Sequence, residues 1–201
     1  MTTPHPEAPQ DRPTPTLLRF LIPVGILLVL IVGSLTWIRS SITKRSANSG
    51  ASTVSADELH EGLSLPDFEL PAFPQGSVKV SSLKHKVTLV NFWATWCEAC
   101  IVEIPSMLKL RAEYQNQGFG IVFINVDENP ASVLPKTLPK MGIDFQIYTD
   151  TEQKLADLFQ VHAIPLSVIL DQNRKILMIE SGERNWNSAE IKEKLQGWLK
   201  N

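Results

Sequence analysis

The chain has 201 residues, 43% of them hydrophobic, and a formal net charge of -2 at pH 7. This length suits one globular domain with accessory segments, while the slightly negative charge lacks the basic footprint of a nucleic-acid-binding protein, so no nucleic-acid partner is expected. The two cysteines, Cys97 and Cys100, are too few for a framework of structural disulfides, so packing must stabilise the fold.

The first 64 residues predict a tail, a membrane anchor and a linker. Residues 1–19 are predicted to be a disordered tail, because the first 16 contain five prolines and almost no large apolar side chains. Residues 20–38 carry no charged side chain and are long enough to cross a bilayer as one helix. Residues 39–64 are rich in small and polar side chains, which predicts a flexible linker.

Two other interpretations of residues 20–38 are a buried core helix and the hydrophobic region of a cleaved signal peptide. Such signal regions usually have about 7 to 15 residues, and no clear cleavage site follows this run directly. We therefore expect an uncleaved transmembrane helix. Lys and Arg number two near its N-terminal end and three near its C-terminal end, a small bias that by itself favours a cytoplasmic C-terminal domain.

The folded domain is predicted over residues 65–201. Two short runs rich in β-branched and aromatic residues, 87–94 and 119–127, have the composition of buried strands. Between them, residues 97–117 have helical spacing of apolar side chains. This strand, helix, strand order predicts a parallel pair of strands joined by a crossover helix.

The second half of the domain predicts further strands and helices. They are a strand at 144–150, a helix at 151–159, two strands within 166–180 joined by a turn at 171–174, and a helix over 187–200 with Asn187 as its N-cap. Together with the parallel pair, these elements predict an α/β domain with a mixed sheet.

The two cysteines are separated by two residues directly behind a predicted strand. This position places Cys97 at the first turn of a helix, where free backbone N–H groups and the helix dipole stabilise a thiolate, so Cys97 is the predicted nucleophile. Cys100 lies on the same helical face and is the predicted resolving thiol. The alternatives are a pair of inert buried cysteines and half of a zinc site, which would need two of His60, His85 and His162.

The residues around this pair resemble the thioredoxin superfamily. The resemblance rests on "FWATWCEAC", on Pro105 and on the later "AIPLSVIL". Three details are similar to its membrane-anchored TlpA/ResA-like thiol-disulfide oxidoreductases: Asn91 in place of a buried aspartate, the acidic Glu103, and a long separation between Cys100 and Pro165. The resemblance implies a thioredoxin-like fold with a mixed central sheet flanked by helices, preceded by one transmembrane helix.

Glu103 is the candidate proton carrier. Thiol-disulfide exchange requires the resolving thiol to lose a proton, and the amide of Asn91 is not a base. Glu103 lies one helical turn beyond Cys100, where partial desolvation would raise the pKa of its carboxyl group toward neutral pH. The alternative is a solvated surface glutamate that pairs with a neighbouring cation.

The resemblance also implies a substrate site. Pro165 resembles the cis-proline that faces the disulfide in this fold, and the main chain of Ile164 would then bind an extended substrate segment. Trp96 is expected to be partly exposed and to contact substrate, whereas Trp93 is expected in the core. No metal ligand and no cofactor other than the redox-active pair is predicted.

The predicted function is that of a membrane-anchored thiol-disulfide oxidoreductase. Glu98, between the cysteines, opposes the helix dipole at Cys97 and so favours a reductant. The resemblance implies protein thiol or disulfide substrates, the bacterial cytoplasmic membrane with the domain in the periplasm or another extracytoplasmic space, a part in cytochrome c maturation, and rereduction by a membrane-embedded thiol donor. The alternatives are a copper-binding assembly protein using both cysteines and His162, and a peroxiredoxin-like peroxidase.

Overall fold

The computed structural model of the protein describes residues 58–200. The predicted tail at residues 1–19, the predicted transmembrane helix at 20–38 and residues 39–57 of the predicted linker lie outside the described residues. Within residues 58–200, no helix combines the length and the apolar character that a bilayer crossing requires.

Five strands form the central sheet, and two more form a small hairpin before it. The hairpin pairs β1 (Glu69–Pro71) with β2 (Ser77–Lys79). The central strands are β3 (Val87–Trp93), β4 (Phe119–Asn125), β5 (Tyr148–Thr149), β6 (Leu166–Asp171) and β7 (Ile176–Ser181), in the spatial order β5-β4-β3-β6-β7. β3 and β5 each run parallel to β4, whereas β6 is antiparallel to both β3 and β7. The predicted mixed sheet and the predicted parallel pair are confirmed.

Four α-helices accompany the strands in the described part of the chain. They are α1 (Glu98–Tyr114), α2 (Pro130–Thr137), α3 (Lys154–Leu158) and α4 (Ala189–Lys200). α1 buries side chains three or four residues apart, Cys100, Ile104, Met107 and Leu110 among them, as an amphipathic helix does on its inner face. The predicted helix over 97–117 is therefore α1 followed by one turn of 3-10 helix at Gln115–Gln117.

The helices cover both faces of the sheet. In β3, Leu89 and Trp93 pack into a cluster with α1, α2 and α4, whereas Val90 and Phe92 pack into a cluster with β1 and α3. A strand buried on both faces needs apolar side chains at successive positions, which explains the unbroken apolar run in the sequence. β3 thus lies in the middle of the domain, and its C-terminal end leads directly into the cysteine pair.

Two predicted elements differ from the structure. A strand was predicted at 144–150, but only Tyr148 and Thr149 form a strand, which pairs with β4. The residue before them bonds to Phe73 beside the hairpin instead: Phe73 N donates to Ile147 O at 3.0 Å. The predicted N-cap at Asn187 is wrong by one residue. Ile191 N donates to Ser188 Oγ at 3.4 Å, and α4 begins at Ala189.

Residues 58–64, at the end of the predicted linker, pack against the domain. Gly62 N donates to Ile176 O and Ile176 N donates to Leu63 O, each at 2.8 Å. The side chains of Leu59 and Leu63 pack against the cluster that contains β1 and α3. The packed region therefore begins before residue 65.

Candidate active site

The two cysteines form a disulfide at the N-terminus of α1. Cys97 is the N-cap residue, and its Sγ accepts a hydrogen bond from Cys100 N at 3.2 Å. A backbone N–H directed at this sulfur, together with the helix dipole, stabilises a thiolate on Cys97 when the disulfide is reduced. The local structure matches the predicted position of the nucleophile at a helix start.

Asp127 fixes the loop that precedes the cysteines. Its carboxylate, only 5% exposed, accepts from Thr95 N and Thr95 Oγ1, both at 2.9 Å, and from Asn125 Nδ2 at 2.6 Å. The end of β4 thereby holds the connection between β3 and α1. Sequence reasoning did not identify this residue, although an aspartate at the end of the predicted strand 119–127 was a visible signal.

The two sulfur-bearing residues differ in exposure. Cys97 is 8% exposed and Cys100 is 0% exposed, while the neighbouring Trp96 is 69% exposed. A protein substrate can therefore approach Cys97 and Trp96, whereas Cys100 is reached through the disulfide. Trp93 is fully buried, as the sequence predicts.

Glu103, three residues after Cys100 on α1, is 1% exposed and has three hydrogen-bond donors around its carboxyl group. Asn91 Nδ2 donates to Oε1 at 2.9 Å, while Trp186 Nε1 and Arg184 N donate to Oε2 at 3.0 and 3.3 Å. None of the three donors is a charged side-chain group. The alternative of a solvated surface glutamate paired with a cation is therefore wrong.

Opposing effects set the proton affinity of Glu103. Burial disfavours the charged carboxylate and raises its pKa, the hydrogen bonds from Trp186, Arg184 and Asn91 lower it, and the nearby charge of Glu183 raises it again. Burial prevails, so the pKa of Glu103 rises to about 7. A carboxyl group with this pKa can both hold and release a proton near neutral pH.

Asn91 connects Glu103 to the neighbouring strand β6, in which Ser167 is its direct cross-strand partner. Its Nδ2 also lies 2.9 Å from Ser167 Oγ in β6, and the Asn91 side chain is fully buried. Its Oδ1 has no hydrogen-bond partner among the described residues. Ser167 and Trp186 were missed by sequence reasoning, since they lie 76 and 83 residues from their partners Asn91 and Glu103 and no local motif marks them.

The peptide bond between Ile164 and Pro165 is cis, as the resemblance implies. Pro165 O accepts from Gly182 N at 2.9 Å, which continues the pairing of β6 with β7. Ile164 and Trp96 line the same groove, together with Glu128, Gln153 and His162 among others. The structure therefore brings together two of the three residues predicted to bind substrate, with Pro165 adjacent in the chain.

His162, the third ligand of the copper alternative, is exposed in the loop before Pro165. Over residues 58–200, no group of three or more His, Cys, Asp or Glu side chains is arranged to hold a metal ion.

Comparison with known proteins agrees with this geometry. The model of the AhpC/TSA family matches residues 62–179. The thiol-disulfide oxidoreductase ResA of Bacillus subtilis (strain 168) is 30% identical over 164 residues, covering 82% of this chain and 86% of the relative. ResA of Geobacillus thermodenitrificans (strain NG80-2) is 30% identical over 135 residues, covering 67% of this chain and 76% of the relative.

A solved structure gives the same result for the fold. A Chlorobium tepidum protein assigned as thiol:disulfide interchange protein DsbE superposes with a TM-score of 0.63 at 30% identity, covering 71% of this chain and 99% of that one. The domain is thus similar over most of its length to thiol-disulfide oxidoreductases. It also has the cysteine pair at a helix start, the cis peptide bond before Pro165 and the mixed sheet. The chain belongs to the AhpC/TSA family and is a thiol-disulfide oxidoreductase with a thioredoxin-like fold.

Proposed function

We propose that the protein reduces disulfides in other proteins through Cys97, Cys100 and Glu103. The Cys97 thiolate attacks a substrate disulfide, forms a mixed disulfide and releases one substrate sulfur as a thiolate. The Cys100 thiolate then attacks Cys97 Sγ, which closes the Cys97–Cys100 disulfide and releases the second substrate sulfur. The substrate gains two electrons and the enzyme loses two.

The buried carboxyl group of Glu103 is the observation that carries this proposal. Cys100 is fully buried and must lose its proton before it can attack, yet Asn91 offers an amide and no base. Glu103 is three residues beyond Cys100 on α1, on the same helical face, with a pKa raised to about 7 by burial. Glu103 accepts the proton of Cys100 in the resolving step and returns it in the reverse reaction.

Glu98 supports the reductive direction. It is exposed in the first turn of α1, next to Cys97, where its negative charge opposes the stabilising effect of the helix N-terminus on the thiolate. A less stable thiolate makes the disulfide a weaker oxidant and the dithiol a better reductant. If Glu98→Gln left the equilibrium constant with a reference dithiol unchanged, this contribution would be absent.

The proposed setting is a bacterial cytoplasmic membrane, with residues 20–38 as a single-pass anchor and the domain on the extracytoplasmic side. The uncharged run of residues 20–38 supports the anchor. The resemblance to membrane-anchored relatives supports the extracytoplasmic side, and it outweighs the small excess of Lys and Arg at the C-terminal end of the run, three against two at the N-terminal end. Rereduction by a membrane-embedded thiol donor and a part in cytochrome c maturation belong to the same proposal. Protease added to intact spheroplasts should digest the domain, and complete protection would contradict this orientation.

The substrates can be identified by trapping. In Cys100→Ser, the mixed disulfide on Cys97 cannot be resolved, so substrate proteins should accumulate as covalent adducts that a reductant releases. Cys97→Ser is the matched control, because its remaining sulfur is fully buried and should hold few adducts. Adding Trp96→Ala to the trapping variant should lower the yield, since Trp96 is exposed beside the groove. Equal adduct formation by both single-cysteine variants would contradict the proposed roles.

The role of Glu103 is tested by the pH dependence of disulfide reduction. Glu103→Gln should lower the rate and remove the inflection near pH 7, because the amide cannot accept the proton of Cys100. Glu113→Gln changes an exposed glutamate on the last turn of the same helix and should retain the wild-type profile. An unchanged profile in Glu103→Gln would rule out proton transfer through this residue.

A further inference from the structure

The loop between β7 and α4, residues 182–188, supplies two of the three hydrogen-bond donors to Glu103. Both reach the same oxygen, Oε2: the indole Nε1 of Trp186 at 3.0 Å and the backbone N of Arg184 at 3.3 Å. Oε1 receives its bond from Asn91, on the opposite side of the carboxyl group. The 182–188 loop therefore donates to Oε2 of Glu103, whereas β3 donates to Oε1.

Trp186 is held in place by a second bond to the same turn of α1. Trp186 N donates to Ser106 Oγ at 2.9 Å, and Ser106 Oγ donates in turn to Glu103 O at 2.7 Å. The Trp186 side chain is 0% exposed. The indole is thus fixed relative to Glu103 through both its backbone and its side chain, which gives the N–H a constant direction toward Oε2.

The ends of the loop are joined by the side chain of Arg184. Its guanidinium pairs with Glu180 in β7 and with Glu190 in α4, the latter at 2.8 Å. The positive charge is thereby engaged by two carboxylates at the ends of the loop, and Arg184 contributes a backbone N–H to Glu103. Because the 182–188 loop is fixed at both ends and in its middle, it can hold the indole N–H of Trp186 in place beside the buried carboxyl group of Glu103.

We propose that Trp186 is a positioning residue that sets the proton affinity of Glu103 and with it the working pH of the exchange reaction. The proposal rests on the proton-carrying role proposed above for Glu103. An indole N–H is a donor only, so it stabilises the carboxylate and cannot accept a proton from the neutral acid. It therefore offsets part of the effect of burial, which by itself raises the pKa of Glu103 further.

Charged and titratable groups around Glu103 are few in the described structure. Glu183, exposed in the same loop, is the charged residue whose field opposes ionisation of Glu103. The other groups that face it are neutral hydrogen-bonding groups or become titratable only on reduction. The hydrogen-bonding groups are Asn91 from β3 and, from the 182–188 loop, Trp186 and the backbone N–H of Arg184. The group that becomes titratable is the thiol of Cys100, three residues earlier on α1. Trp186 and Asn91 are accordingly the two side chains that donate to this carboxyl group, and Trp186 is the one that the 182–188 loop supplies.

The test is a direct titration of the Glu103 carboxyl carbon by ¹³C NMR in the oxidised full-length protein, kept in solution with a mild detergent. The Glu103 signal is identified by its loss in Glu103→Gln. Trp186→Phe, which keeps an aromatic ring and removes the N–H, should raise the midpoint by about one pH unit, a tenfold change in proton affinity. The inflection in the pH profile of disulfide reduction should move in the same direction.

Trp93→Phe is the matched control. Trp93 is also 0% exposed and belongs to the same core cluster as Trp186, but its Nε1 has no hydrogen-bond partner in the described structure. The substitution therefore removes the same atoms without removing a bond to Glu103, and the Glu103 midpoint should stay at its wild-type value. A shift of equal size in both variants would show a packing effect and overturn the proposal.

The role of Trp186 and proton transfer through Glu103 can fail independently of each other, and different measurements test them. A wild-type Glu103 midpoint in folded Trp186→Phe would overturn the role of Trp186, whatever the kinetics of Glu103→Gln. An unchanged pH profile in Glu103→Gln would overturn proton transfer through Glu103, and with it the effect of Trp186 on the working pH of the exchange reaction. The NMR midpoints of Glu103 would still show whether the hydrogen bond from Trp186 lowers its pKa. If Trp186→Phe fails to fold, the wild-type indole ¹⁵N–¹H signal of Trp186 decides: a midpoint equal to that of Glu103 supports the proposal, and a constant signal overturns it.

Discussion

Glu103 should make the stability of the oxidised protein depend on pH. Its pKa is 4.5 in an unfolded chain and about 7 in the fold, so between these values the folded state keeps a proton that the unfolded state loses. The contribution of Glu103 to stability is therefore greatest below pH 4.5, falls as the pH rises to 7 and is then constant, with a total loss of about 3 kcal/mol from this residue.

Chemical denaturation between pH 4.5 and 8 measures this effect. Glu103→Gln should flatten the decrease, because an amide does not titrate, whereas Glu113→Gln should keep the wild-type slope. A wild-type slope in Glu103→Gln would mean that Glu103 ionises as readily in the fold as in the unfolded chain.

Among individual residues, those with local signals were predictable and those with distant partners were not. The spacing of Cys97, Cys100 and Glu103 along one helix follows from helical geometry, which also brings Glu103 close to the pair. Trp186 and Ser167 are equally part of the network, but Trp186 reaches it from the loop after β7 and Ser167 from β6. Their roles depend on how the sheet and helices pack, and no spacing within their own segments reports it.

At the scale of elements, Asp127 links the end of β4 to the loop before α1. Asp127→Ala should destabilise the fold by about 2–4 kcal/mol, because Thr95 and Asn125 would lose their partner in a buried position. It should also slow disulfide reduction several-fold, since the loop positions Cys97. Denaturant midpoints and rates measure both effects, with the exposed Asp144→Ala as a control that should change neither. Wild-type stability in Asp127→Ala would show that the loop is held by other contacts.

The elements that were predicted correctly are those with a strong local pattern. β3, β4 and α1 have long apolar runs or helical spacing, and the two strands β6 and β7 flank a clear turn. The three-residue strands β1 and β2 were not predicted, because so short a run carries no periodicity. α2 was also missed; it contains Pro135 within its eight residues, which is atypical of a helix interior.

At the scale of the whole molecule, residues 58–64 contribute to the domain. A chain that begins at residue 65 should be less stable than one that begins at residue 58 by about 2–4 kcal/mol, since it lacks two backbone hydrogen bonds to Ile176 and the apolar contacts of Leu59 and Leu63. Thermal unfolding of both chains at one pH measures the difference. Equal melting temperatures would place these residues outside the cooperative unit.

The sequence predicts the α/β class of the domain, but it predicts the order of the strands in the sheet only in part. Alternation of strands and helices indicates an α/β domain, and the turn between β6 and β7 indicates an antiparallel pair within it. The position of β3 between β4 and β6 joins segments that are far apart in sequence. Register across such a pair is set by packing on both faces of the sheet, which no single segment encodes.

The bond from Gly182 N to Pro165 O has a consequence for observing substrate recognition. It connects the amide hydrogen of Gly182 to the carbonyl group of Pro165, the residue that directly follows the cis peptide bond, at a distance of 2.9 Å between N and O. The rate of hydrogen–deuterium exchange at the Gly182 amide should therefore report whether substrate is bound at Pro165. A bound polypeptide that stabilises the Pro165 segment should slow this exchange, whereas a ligand bound elsewhere on the domain should leave the rate unchanged.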